Sequence, residues 1–75
     1  MRFIEMTGKM LTSIMDEQEL DMGLLAKAGV TDETIVRINE QGDVEVRRAT
    51  KWDLIGGLLG DFENRIHRRT GMDWV

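Results

Sequence analysis

The sequence predicts a small two-layer α+β domain of order β-α-β-β-α, a three-stranded sheet covered on one face by two helices, and three observations lead to it. Residues 35–48 hold two β-type runs around a glycine turn. Two segments, ending at Gly29 and at Gly71, carry apolar residues at helical spacing. The 75 residues suffice for one hydrophobic core, since a chain of this size buries only about 60% of the surface it exposes when unfolded. Residues 1–75 are therefore read as a single domain. Hydrophobic residues make up 41% and charged residues 32% of the chain, a globular composition rather than a disordered one. With two Phe, two Trp and no Tyr, the core has to be built mainly from aliphatic and Met side chains.

The first strand is read over Arg2–Met6, with Ile4 and Met6 on one side and Phe3 and Glu5 on the other, ahead of a breaker at Thr7-Gly8. From Leu11 the period becomes helical. Leu20, Leu24, Leu25 and Ala28 share one face, and Gly29 stands where a left-handed C-terminal cap is expected, with Val30 packing back on Leu25. Two N-terminal caps compete, Ser13-x-x-Asp16 and Asp16-x-x-Glu19, so a short helical turn followed by a longer helix is also compatible with the pattern.

Ile35–Ile38 and Val44–Arg48 read as the two arms of a hairpin around Asn39-Glu40-Gln41-Gly42-Asp43. Gly42 supplies the positive φ that a type I turn with a following bulge requires. Val36, Ile38, Val44 and Val46 then share the buried face, and Arg37, Glu45 and Arg47 face water or a partner. If the first strand runs parallel to the second, the crossover between them is right-handed.

The last helix is read as continuous from Lys51 to Thr70. Thr50-x-x-Asp53 has the form of a helix-opening box, Trp52, Ile55, Leu58, Leu59, Phe62 and Ile66 recur at helical steps, and Arg68 and Arg69 suit the negative pole of the helix dipole. Gly71 is its cap, and Met72–Val75 folds back on the core. On this helix Gly56, Gly57 and Gly60 fall opposite the apolar stripe, beside Asn64 and His67. A bare backbone strip with small-xxx-small spacing lets another backbone approach closely, by analogy with membrane helices. The competing reading starts the helix only at Leu58, with Gly56-Gly57 as a bend.

Several function classes find no support in the residues. Without cysteine there is no disulfide framework, thiolate metal site or thiol nucleophile, which fits a reducing, cytoplasmic setting. No apolar stretch approaches the 18 or so residues of a spanning helix, and the N-terminus lacks a signal-peptide apolar run, so no membrane association is expected. Thr7-Gly8-Lys9 fails as a phosphate-binding loop, because Phe3 stands where its first glycine belongs and Met10 where its hydroxyl residue belongs. The acidic run Asp16, Glu17, Glu19 and Asp21 lacks the regular oxygen spacing and turn glycine of a calcium loop. His67, the single histidine, has no nucleophile arranged around it. No catalytic, cofactor-binding or metal-binding residue is assigned, and no cofactor.

The net charge is −4, all of it in residues 1–34, where seven acidic side chains outnumber three basic ones. That balance disfavours casual attraction to nucleic acid. The function expected is a non-enzymatic protein-interaction or assembly module that binds a protein partner or itself, as a homodimer, through the C-terminal helix, with Gly56, Gly57, Gly60, Asn64 and His67 as the contact strip. The alternative is a small nucleic-acid-binding regulator using Arg47, Arg48, Lys51 and Arg68. Asp53, Asp61 and Glu63 interrupt that basic set, and both Phe side chains and Trp52 are assigned to the core.

Overall fold

The computed structural model describes residues 2–15 and 22–74. Its elements are β1 (Phe3–Thr7), α1 (Gly8–Ile14), α2 (Met22–Lys27), β2 (Ile35–Asn39), β3 (Asp43–Arg47), β4 (Trp52–Gly57) and α3 (Phe62–Thr70). The domain is α+β, with a four-stranded antiparallel sheet of order β1-β2-β3-β4 and three helices where three strands and two helices are expected from the sequence.

Alternation sets which side each strand buries. Ile4 and Met6 of β1 stand opposite Ile38 and Val36 of β2, which stand opposite Val44 and Val46 of β3. All six are buried, and Val36, Ile38, Val44 and Val46 are wholly excluded from solvent. Leu11 and Ile14 of α1, Leu25 of α2, Ile66 of α3 and Leu58 of the β4–α3 connection close over them, so the helices cover one face of the sheet. None of the described helices is long and apolar enough to cross a membrane.

The hairpin stands as expected. Gly42 has φ +89°, and its N–H donates to the Asn39 carbonyl at 3.0 Å. The Asn39 carboxamide oxygen accepts from the N–H groups of Gln41 and Asp43, which fixes the turn from inside. At the end of α2, Gly29 adopts φ +77° while the N–H of Val30 donates to the Leu25 carbonyl at 2.9 Å, the close of a left-handed cap. Gly71 caps α3 with φ +72°, and the tail folds back so that Trp74 meets the edge of the Phe62 ring at 6.4 Å.

Three expectations are corrected. The pair Thr7-Gly8 does not break the chain but opens a helix: the Thr7 hydroxyl oxygen accepts from the Met10 N–H, and Gly8 starts α1. A side chain at Gly8 would overlap the Thr31 carbonyl oxygen, so glycine is what lets α1 start against the connection between α2 and β2. Ser13 sits inside α1, its hydroxyl donating to the Met10 carbonyl, and opens no helix there. The acidic run 16–21, with the second cap, lies outside the described residues. The first two strands are antiparallel, so no parallel crossover exists.

The largest correction concerns residues 51–61. Trp52–Gly57 is a strand paired with β3, and the helix begins only at Phe62. Without β4, the exposed side of β3 would leave its backbone polar groups unpaired, and pairing with a neighbouring strand satisfies them. Along β4 the register slips: Gly56 stands opposite Val44 and Leu54 opposite Glu45, so Ile55 is a bulged extra residue. The bulge puts Ile55 against the core, which makes the spacing of Trp52, Ile55 and Leu58 mimic a helix in sequence.

Candidate functional site

Among the described residues, the helices leave the second face of the sheet uncovered, and alternation loads it with the residues that do not join the core. Along its middle row, Glu5, Arg37, Glu45 and Leu54 follow one another from β1 to β4. Arg37 is the centre of this face. Its Nε donates to Glu45 Oε1 at 2.9 Å, and both side chains are about one-fifth exposed. Its guanidinium also lies 3.8 Å from the centre of the Phe3 ring and 4.2 Å from that of Trp52. An arginine over aromatic faces contributes about 0.5–1 kcal/mol per contact at exposed sites. Here the two rings come from the two edge strands, so one side chain ties β1 to β4 across the width of the sheet. Leu54, at 62% exposure, lies beside this stack with no cover.

This placement overturns the assignment of Phe3 and Trp52 to the core. The signal was present in the alternation: Phe3 is out of phase with Ile4 and Met6, and Arg37 is out of phase with Val36 and Ile38.

The residues singled out from the sequence are dispersed. Gly56 and Gly57 belong to β4, opposite Val44 and Asp43, and Gly60 lies in the connection to α3 with φ +67°. They share no helical face, because there is no helix through them. Asn64 and His67 do come together. They line a groove of about 250 Å³ with Ile4, Glu63, Met72 and Asp73, where α3 and the tail pass the first strand. The Asn64 carboxamide donates to Asp61 at 3.0 Å, closing the first turn of α3.

The basic set is divided between layers. Arg47 is exposed on the open face, opposite Trp52. Arg48 turns the other way, with Nη2 3.2 Å from Asp53 Oδ2, and a side-chain carbon at Gly29 would stand 4.0 Å from its guanidinium. Lys51 is exposed in the β3–β4 turn, and Arg68 is exposed on α3 with its Nε donating to the Asn64 carbonyl. No continuous basic stripe results.

At the other end of the face, Arg2 Nη2 lies 3.0 Å from Glu40 Oε2 and ties the start of β1 to the β2–β3 turn. That hydrogen bond, with a second from the Arg2 N–H, holds the Glu40 carboxyl below the usual carboxylate range and raises the Arg2 guanidinium. Among the described residues, no group of three His, Asp or Glu side chains is arranged to hold a metal ion. No protein-family model matches the chain, and neither a curated protein nor a solved structure is detectably similar to it.

Proposed function

We propose that the chain is a small, non-enzymatic protein-interaction or assembly module, that its docking surface is the open face of the sheet, and that the occupant is a second copy of the chain. The observation that carries this reading is the Phe3–Arg37–Trp52 stack, with Leu54 uncovered beside it. Aromatic and arginine side chains supply most of the association free energy at protein interfaces, and here they are collected on a face that the domain's own helices do not use. Charge supports a second copy. A twofold axis parallel to the strands lays the row Glu5, Arg37, Glu45, Leu54 on its own reverse, so that Arg37 of each copy faces Glu45 of the other. Aligned sheets of this kind pack with strands within about 30° of each other. The absence of cysteine fits a reducing, cytoplasmic setting.

The solution mass tests it. The wild-type chain is expected to be a dimer, and Leu54→Glu, at an exposed position that leaves the core untouched, is expected to be a folded monomer. A wild type that stays monomeric at every accessible concentration overturns the reading.

A nucleic-acid-binding regulator is the second reading, and one observation favours it: Phe3 and Trp52 are available for base stacking, with Arg47 opposite Trp52. Glu5, Asp43 and Glu45 share the face, however, and Arg37 is already neutralised by Glu45. Retention on single-stranded DNA or RNA with a steep salt dependence would move this reading ahead of the first.

A further inference from the structure

We infer that the outer edge of β1 is a docking groove for an extended, lysine- or arginine-bearing segment of another protein, which joins the sheet as a fifth strand. The inference goes beyond the self-association reading, since it concerns the edge of the sheet rather than its face.

The backbone argument comes first. The Gly8 N–H donates to the Thr34 carbonyl at 2.7 Å, one step beyond the Thr7–Ile35 pair. In an antiparallel ladder hydrogen-bonded and non-bonded pairs alternate. Met6 and Ile4 therefore bond to β2, and the N–H and C=O groups of Phe3 and Glu5 point away from it. Among the described residues no strand pairs with that side of β1. The two edges of the sheet differ in this respect. On β4 the Ile55 bulge and the charge of Asp53, which stands opposite buried Val46, are devices that oppose strand addition, whereas β1 pairs without a bulge and its one charge, Glu5, lies in the outward row opposite Arg37.

Beside the open groups runs a groove of about 470 Å³ lined by Phe3, Ile4, Glu5, Met72 and Asp73. It shares Ile4, Met72 and Asp73 with the smaller groove at Asn64 and His67. Main-chain hydrogen bonds to an exposed edge give such a site its affinity, and pockets for alternate side chains give it specificity. Ile4 and Met72 supply the apolar floor. Glu5 and Asp73 line it and Glu63 lines the smaller groove; all three are exposed, and Glu63 and Asp73 act electrostatically on the neighbouring cation Arg2. Arg2, at the start of the strand, is engaged by Glu40. The charge that faces an incoming strand is negative, so the occupant is basic, with apolar residues at alternate positions.

A synthetic eight-residue peptide of alternating Lys and Val is the probe, with an alternating Glu and Val peptide as control, read by amide NMR on the full chain. The Lys peptide is expected to shift the amides of Phe3 and Glu5 and protect them from hydrogen exchange, and the Glu peptide to do neither. Glu63→Lys/Asp73→Lys, at two exposed positions, should weaken binding about tenfold at low salt, as loss and reversal of exposed charge pairs implies. Glu5→Pro should abolish it, because the N–H removed points outward and a proline is tolerated on such an edge. Repeating the titration on Leu54→Glu keeps the two proposals apart: peptide binding by that monomer upholds the edge site whatever becomes of the dimer. Equal affinity for both peptides, binding of neither, or protection of Phe3 and Glu5 by a second copy before peptide is added would overturn it.

Discussion

Gly42 and Phe62 stand so close that a side-chain carbon built at Gly42 would lie 3.1 Å from Phe62 Cε1 and 2.9 Å from the Leu58 carbonyl oxygen. The β2–β3 turn and the start of α3 are thus fitted to each other, and the Leu58 N–H closes the contact by donating to the Gly42 carbonyl at 2.8 Å. Gly42→Val is expected to cost about 2–4 kcal/mol, from positive φ together with the crowding. Adding Phe62→Ala should recover the ring-contact share of that cost, so a double-mutant cycle by denaturant unfolding has to give a non-zero coupling. Strict additivity would mean that the two residues do not touch.

Gly60 has φ +67° and no atom within 4 Å of where a side chain would begin. Steric room is therefore ample and backbone conformation alone decides. Gly60→Ala should destabilise by about 1 kcal/mol, the reverse of the gain a mid-helix glycine would give. Gly60→Asn should cost less, because asparagine tolerates the left-handed region. Thermal unfolding of the two variants measures the difference, and a more stable Gly60→Ala would return this position to a helix.

Ile66 is wholly excluded from solvent, whereas Phe62 is half-buried against Trp74. Ile66→Ala is expected to cost about 2–5 kcal/mol, the range for a buried aliphatic truncation. Phe62→Ala should cost less than Ile66→Ala despite removing the larger side chain. Urea midpoints compared at equal slope test the order, and its inversion would place the ring deeper in the core than the helix isoleucine.

Glu40 titrates below its ordinary range because Arg2 donates to its carboxylate. A depressed carboxyl contributes stability that is present above the unfolded-state pKa and lost as pH falls through the lower folded-state value. The tie between β1 and the β2–β3 turn should accordingly hold at neutral pH and release in acid, at a lower pH than free glutamates protonate. A carboxyl-carbon NMR titration should show the Glu40 midpoint rising when Arg2 is replaced by Gln.

The β2–β3 hairpin is legible in the sequence because everything that makes it is local. Valines and isoleucine at alternate positions flank a glycine that the turn needs, and the same holds for the caps at Gly29 and Gly71. What decides β4 is not local. Its bulge at Ile55 erases the period-two signal, the remaining apolar spacing imitates a helix, and the strand forms because β3 has a free edge to pair. The start of α1 is hidden for a similar reason, since Gly8 answers to the Thr31 carbonyl, a neighbour reached only in the folded chain. Of the candidate surface, the outward phase of Arg37, Glu45 and Arg47 is readable along the hairpin. That of Phe3 is readable against Ile4 and Met6, whereas that of Trp52 is not, because the bulge at Ile55 breaks the alternation of β4 and hydrophobicity alone sends the ring to the core.

The order β1-β2-β3-β4 repeats the order of the chain, but its three pairings do not cost the same to form. The β2–β3 and β3–β4 contacts close over short turns, whereas β1 meets β2 only after residues 8–34 have been brought round. Closing a longer loop carries a larger entropy cost before any contact is gained. The three-stranded meander is then expected to form first, with β1 docking late, drawn in by Ile4 and Met6. Truncating Ile4 should speed unfolding while leaving the folding rate nearly unchanged, and truncating Val44 should slow folding. The strand that presents the open edge is thus expected to dock last, so that the proposed groove beside it is complete only once the meander is in place.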